Sequence, residues 1–132
     1  MRRSVLLLDP EPTRASALAA QLQSAGFDIT PFFTAGDALV RLARPVFGSM
    51  IVMADLHDAD CCKCLVDLRK VAPTVWLIVV AYDHMPGSLK LARKLGADAI
   101  LTTPFSIADL AQRLAAFSSG HTAGFGERGT RD

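Results

Sequence analysis

The sequence has no apolar run long enough to cross a membrane and no excess of charge of either sign. Its longest apolar stretch, residues 75–81, is far shorter than the roughly 20 residues that a membrane helix needs. Fourteen Lys and Arg stand against thirteen Asp and Glu, and the basic residues are dispersed along the chain. We therefore expect a cytoplasmic protein whose partners include neither membrane nor nucleic acid.

Cysteine is scarce and confined to one short segment, at Cys61, Cys62 and Cys64. Three is an odd number, and cysteines this close together cannot close a long loop, which excludes a disulfide framework. We expect Asp60 to cap a helix here, so that Cys61 and Cys64 lie on its first turn, where the helix N-terminus favours thiolates. A thiol redox switch is one hypothesis for this segment. Packing of the cysteines as small apolar groups is the other, and we favour it.

Apolar runs and segments of helical periodicity alternate along the chain. With 132 residues, 51% of them hydrophobic, there is room for one domain that buries about two-thirds of its unfolded surface. The pattern predicts strands near residues 4–8, 28–33, 49–54, 75–81 and 98–102, and helices near 13–25, 36–44, 60–71, 86–95 and 106–116. Continuous apolar strands between amphipathic helices indicate an α/β protein with a parallel sheet covered on both faces.

Several local signals mark where these elements begin, end and pair. Gly26 follows the first helical segment and is expected to stop it. Ser106 and Asp109 have the spacing of a capping box at the start of the last helix. Pro31 within the second strand favours an edge position, because proline has no backbone N–H to donate to a neighbouring strand.

The last part of the chain has a different composition. From Ser118 onward the sequence is rich in Gly, Arg and Thr and has no periodicity. We therefore expect one domain over residues 1–117 and a flexible C-terminal tail over residues 118–132.

Polar residues follow three of the apolar runs. Asp9 ends the first run, Asp55 ends the third, and Thr103 follows the fifth. Because parallel strands have their carboxyl ends at one edge of the sheet, where open α/β sheets bind ligands, these three residues are predicted to lie around one pocket.

The chain resembles the receiver domain of two-component response regulators, of the single-domain chemotaxis type, over residues 3–117. The resemblance is carried by Asp9-Pro-Glu-Pro, by Asp55, by the segment Gly96-Ala-Asp-Ala-Ile-Leu-Thr-Thr-Pro-Phe105 and by the five βα units. It implies a flavodoxin-like (βα)5 fold, doubly wound around a five-stranded parallel sheet of order 2-1-3-4-5. It also implies a cis peptide between Thr103 and Pro104.

The resemblance assigns a phosphoacceptor and a partial metal site. Asp55 maps onto the residue that accepts a phosphoryl group, and Asp9 onto the first of two acids that hold Mg²⁺, whereas Pro10 replaces the second acid. The backbone carbonyl of His57 and the side chain of Glu11 are further candidate ligands. Since Mg²⁺ commonly retains several waters, we expect its binding to be weak rather than impossible.

The phosphoryl contacts of the family are also changed. Val80 stands at the position of a Ser or Thr that ends strand four, Thr103 at that of a Lys, and Ile100 at that of an aromatic switch residue. The missing Lys removes a charge-assisted hydrogen bond and is expected to leave Asp9 and Asp55 without a nearby fixed cation. Without the hydroxyl and the aromatic ring, phosphorylation would be poorly relayed to the surface.

These observations favour a stand-alone, atypical receiver, a signalling module and not an enzyme. It is expected to act through protein contacts without normal Mg²⁺-dependent phosphorylation. A receiver phosphorylated on Asp55 is the alternative, and a redox module using Cys61 and Cys64 is a second one. The expected partner is a histidine kinase, a phosphotransfer protein or another regulator, with a homodimer also possible. The expected contact face is helix four, strand five and helix five, residues 86–117, with candidates Leu89, Leu91, Leu95, Ile107 and Leu110.

Overall fold

A computed structural model describes residues 3–44, 46–81 and 87–117 of the chain. Within these ranges strands and helices alternate as the sequence pattern predicts. The strands are β1 (Arg3–Leu8), β2 (Phe27–Phe32), β3 (Ser49–Ala54), β4 (Trp76–Ala81) and β5 (Ala99–Thr102). The helices are α1 (Pro12–Ser24), α2 (Ala35–Leu42), α3 (Ala59–Val71), α4 (Ser88–Lys94) and α5 (residues 107–117). None of the helices in the described ranges is long and apolar enough to span a membrane.

The strands form one parallel sheet in the order β2-β1-β3-β4-β5. The predicted α/β class, the doubly wound arrangement and the strand order are confirmed. Strand β2 lies at an edge, with Pro31 opposite Leu7 of β1, as the proline predicts. The order reverses between β1 and β3, which opens a crevice at the carboxyl ends of these two strands.

Alternating side chains of the strands enter two separate cores. On one face, residues such as Leu6, Met50 and Val79 pack with helices α2, α3 and α4. On the other face, residues such as Ile51 and Ile78 pack with α1 and α5. All six residues of β3 are buried, because helices cover both sides of this central strand.

Two predicted boundaries hold. The Ser106 hydroxyl accepts the N–H of Asp109 at 2.9 Å and so caps α5. Gly26 ends α1 with φ +101°, a left-handed conformation that glycine adopts without steric cost.

One other expectation, that Asp60 caps α3, was wrong. The cap of α3 is Asp58, whose carboxylate accepts the N–H of Asp60 at 3.0 Å, because the chain is still extended at Asp58 and turns helical at Ala59. Helix α4, predicted near residues 86–95, runs from Ser88 to Lys94 and follows Gly87, whose φ is +89°. Residue 86 and the predicted tail 118–132 lie outside the described residues.

An arginine joins three segments at the amino end of β4. Arg69, near the end of α3, donates to the carbonyls of Ala72, Pro73 and Val75 and to that of Gly96. Its Nη2 also lies 2.8 Å from a carboxylate oxygen of Asp98. Only 8% of the Asp98 side chain is exposed.

The same Asp98 oxygen accepts the N–H of Leu77 at 2.9 Å. The backbone N–H of Asp98 in turn donates to the carbonyl of Leu77 at 2.7 Å. Gly96 allows the close approach of Arg69, since a Cβ at this position would lie 3.1 Å from Arg69 Cγ. The Arg69 and Asp98 pair, which we call the brace, therefore holds the start of β5 against β4 and α3.

We predict that Asp98→Ala lowers the free energy of unfolding by about 3 kcal/mol, because it leaves a largely buried guanidinium without its counter-charge. The measurement is urea denaturation followed by circular dichroism. Asp67→Ala is the matched control, since Asp67 pairs with Lys63 on the surface of α3, and it should cost about 0.5 kcal/mol or less. Equal losses in the two variants would contradict a bracing role for Asp98.

Candidate functional site

The three predicted pocket residues lie at the carboxyl edge of the sheet. Asp9 extends the ladder between β1 and β2, since its N–H donates to the carbonyl of Phe32 at 3.0 Å. Asp55 follows β3 directly, and the Thr103 N–H donates to the carbonyl of Ala81 at 3.0 Å. The structure thus places Asp9 and Asp55 beyond neighbouring strands, at the point where the strand order reverses.

The side chain of Asp9 is fully buried and forms an ion pair with Arg14. Arg14 Nε lies 2.7 Å from Asp9 Oδ2 and Arg14 Nη2 lies 2.6 Å from Oδ1, so the guanidinium bridges both oxygens. The N–H of Glu11 donates to Oδ1 at 3.0 Å. The buried negative charge is therefore neutralised and hydrogen-bonded within the chain.

The expectation that Asp9 lacks a fixed cation was wrong. Thr103, at the end of β5, supplies no cation, but Arg14, five residues after Asp9, does. The signal was present in the sequence, because Glu11 and Pro12 predict a helix start and Arg14 then falls on its first turn. Only the folded backbone shows that this turn points the guanidinium back at Asp9.

Glu11 caps α1. Its Oε1 accepts the N–H of Arg14 at 2.7 Å, which satisfies one of the unpaired donors of the first turn. The side chain of this candidate metal ligand is therefore engaged at the helix start.

Asp55 begins a tight turn and is exposed to solvent. Its Oδ1 accepts the N–H of His57 at 3.0 Å, and its backbone carbonyl accepts the N–H of Asp58, also at 3.0 Å. This is an Asx turn that leads into α3. The carboxylate is thus oriented by its own loop and remains accessible at the rim of the crevice.

Val80 lies away from Asp55. It pairs with Met53, two residues before Asp55, and its side chain is fully buried in the core beside α1 and α5. Ala81, the last residue of β4, packs in the opposite core. The end of β4, over the part that the structure describes, therefore offers no hydroxyl group.

The end of β5 has the predicted backbone. Thr103 is half-buried, and its peptide to Pro104 is cis as expected. Ile100 packs against the core on the α2, α3 and α4 side.

The sequence matches no protein-family model, and no curated protein resembles it in sequence. Solved structures do resemble it in fold. The beryllofluoride-activated receiver domain of DrrB from Thermotoga maritima superposes with a TM-score of 0.77 at 21% identity, covering 91% of this chain and 100% of that one. A CheY-like receiver domain protein of Methanospirillum hungatei gives 0.77 at 18% identity and covers both chains fully. HP1043, an orphan response regulator of H. pylori, gives 0.72 at 18% identity, covering 89% and 98%. The chain has the fold of a response-regulator receiver domain.

The metal site of a receiver is not reproduced in this arrangement. Mg²⁺ requires oxygen ligands at about 2.0–2.1 Å in octahedral geometry. Both oxygens of Asp9 face the guanidinium of Arg14, Pro10 has no carboxylate, and Glu11 caps α1. Asp9, Pro10 and Glu11 therefore offer no free carboxylate to Mg²⁺ while Arg14 is paired with Asp9.

The α4, β5 and α5 face of this receiver fold is mostly turned inward. Leu110 is fully buried, and Leu91, Leu95 and Ile107 pack partly against the two cores. Leu89 is 51% exposed. Among the five predicted contact residues, Leu89 is therefore the one that the surface presents.

The cysteines on α3 have raised pKa values, whereas redox-active thiols have lowered ones. None of the three forms a disulfide, and all are half-buried. Burial raises the pKa of Cys61 and Cys62, and it raises the pKa of Cys64 to about 11, with Cys61 and Asp67 adding to the effect. Loss of water around the sulfur thus outweighs the favourable position on the first turn, and a redox switch is disfavoured.

We predict slow alkylation of Cys64 at neutral pH. The thiolate is the reactive form, and a raised pKa lowers its fraction, so the rate should increase with pH well beyond the usual midpoint of about 8.5. The measurement is the pH dependence of iodoacetamide labelling in the double variant Cys61→Ser/Cys62→Ser. The same protein unfolded in guanidinium is the control and should show the ordinary midpoint. A midpoint of the labelling rate that is lower in the folded protein than in the control would contradict this prediction and favour the redox hypothesis.

Proposed function

We propose that the chain is an atypical receiver that acts in two-component signalling through protein contacts, without normal Mg²⁺-dependent phosphorylation of Asp55. The observation that carries the proposal is the loss of both phosphoryl contacts at the sheet edge. Val80 lies in the core, and Thr103 stands where the family has a Lys.

The physical reason is the nature of phosphoryl transfer. Protein catalysis of this reaction consists almost entirely of positioning and of stabilising the charge on the transferring oxygens. Asp55 is available as a nucleophile, but it has no lysine at Thr103 and no hydroxyl at Val80 beside it. A charge-assisted hydrogen bond is worth about 1.5–3 kcal/mol, so the loss of the lysine alone would weaken an acyl phosphate substantially.

Relay of a signal from Asp55 is impaired for a related reason. In the family a hydroxyl at the end of strand four moves toward the phosphoryl group and an aromatic ring of strand five follows it. Here Val80 and Ile100 are both apolar and packed in opposite cores. Over the described residues, the two positions expected to relay a change at Asp55 therefore carry no polar side chain.

The surface proposed for partner binding is the exposed side of α4 together with β5 and α5. Leu89 supplies an apolar contact there, and Lys90, Arg93 and Lys94 give the helix a basic character. The proposed partner is a histidine kinase, a phosphotransfer protein or another regulator, and a homodimer would use the same face. The proposed location is the cytoplasm.

A phosphorylatable receiver is the second candidate. It is favoured by one observation, the exposure of Asp55 directly after β3 in the position of the family acceptor.

We predict that Mg²⁺ with beryllofluoride, which mimics an acyl phosphate, leaves the amide spectrum of α4 unchanged. The measurement is a series of ¹⁵N NMR spectra of the reduced protein alone, with Mg²⁺, and with both additives. Asp55→Asn is the control for shifts that do not arise at the acceptor. Saturable shifts that require Asp55 and extend to α4 would favour the phosphorylatable receiver.

We predict that partner binding withstands Asp55→Asn but not Leu89→Glu, because the charge enters an apolar contact. The measurement is the amount of histidine kinase, phosphotransfer protein or regulator that co-purifies with each variant from its own cells. Val40→Glu is the matched control, since Val40 is 72% exposed on α2. Loss of binding with Asp55→Asn, or equal loss with both glutamates, contradicts the proposal.

A further inference from the structure

We infer that the guanidinium of Arg14 is the resident cation of the carboxyl-edge pocket and keeps divalent ions out of it. The inference deepens the proposed function and rests on it in one respect, that this edge corresponds to the metal site of receivers. It assigns to Arg14 the charge neutralisation that a metal ion would otherwise provide.

The first argument is the burial of Asp9. Its side chain has no exposure to solvent, so water cannot stabilise the carboxylate and a partner charge must do so. Arg14 provides two parallel N–H···O bonds of 2.7 and 2.6 Å, the bidentate geometry that suits a guanidinium and a carboxylate. The pair satisfies the charge and most of the hydrogen-bonding capacity of Asp9.

The second argument is that the backbone holds Arg14 in place. Its N–H donates to the capping carboxylate of Glu11 at 2.7 Å, and the N–H of Glu11 donates in turn to Asp9 at 3.0 Å. These contacts link Asp9, the helix cap and Arg14 in one closed set. The guanidinium therefore reaches Asp9 from a fixed helical turn, which lowers the entropy lost on pairing.

The third argument concerns competition. A divalent ion at this edge would use an oxygen of Asp9, directly or through a water, and it would be repelled by the adjacent guanidinium. Since Pro10 supplies no replacement carboxylate, the ion would have to displace Arg14. The Arg14 side chain is 41% exposed, so its removal by mutation opens the site to solvent rather than leaving a sealed cavity.

The test is the affinity of the protein for Mg²⁺ and Mn²⁺ before and after removal of the guanidinium. The variants are Arg14→Ala and Arg14→Gln, and Arg44→Ala is the control, which deletes an exposed arginine just after α2. Binding is read from amide shifts with Mg²⁺, from water proton relaxation with Mn²⁺ and from the thermal midpoint.

The wild type and Arg44→Ala should show no saturable binding at millimolar Mg²⁺. Arg14→Ala and Arg14→Gln should unfold at a lower temperature in metal-free buffer, because Asp9 is left without its partner. Divalent ions should restore the midpoint and bind at least about tenfold more tightly than to the wild type. If the variants do not fold without metal, refolding with Mg²⁺ or Mn²⁺ gives the same information.

Three results would overturn the inference: saturable Mg²⁺ binding to the wild type with shifts at Asp9 and Glu11, variants as stable as the wild type in metal-free buffer, or variants that neither ion binds or refolds. None of these touches the proposed function, which fails instead if beryllofluoride added with Mg²⁺ produces Asp55-dependent shifts in α4.

Discussion

A fully buried carboxylate at the point where the strand order reverses is the constraint on which the rest of the pocket depends. Asp9 belongs to the end of β1 and cannot reach water, so its charge must be balanced by a neighbour. The chain meets this requirement with Arg14 and with the N–H of Glu11. As a result the start of α1, its cap and the edge of the sheet form one hydrogen-bonded unit without an added ion.

A second arginine and aspartate pair stabilises the opposite edge. Arg69 and Asp98 join the end of α3, the entry to β4 and the start of β5. Both pairs are hydrogen-bonded ion pairs between arginine and aspartate, but they have different roles. Arg69 binds the carbonyls of three backbone segments, whereas Arg14 neutralises the carboxylate at the carboxyl edge of the sheet.

The pocket has a candidate nucleophile, Asp55, but not the polar contacts expected beside it. Asp55 is exposed and held by an Asx turn, while Val80 and Ile100 are packed in separate cores and Thr103 supplies no cation. Val80 and Ile100 are both apolar, which supports the proposal that the protein acts without a phosphorylation switch. Burial raises the pKa values of the thiols on α3, which lowers the fraction of reactive thiolate.

The order of elements, the parallel sheet, the edge position of β2 and the cap at Ser106 followed from the sequence by itself, because hydrophobic periodicity and capping chemistry are local properties. So did the positions of Asp9 and Asp55 at the ends of strands. Only the tertiary structure decided that Arg14 pairs with Asp9, that Asp58 rather than Asp60 caps α3, that Val80 points into the core and that Leu89 faces solvent. These depend on helix phase, on the turn that precedes each helix and on burial, and a one- or two-residue shift in any of them reverses the outcome.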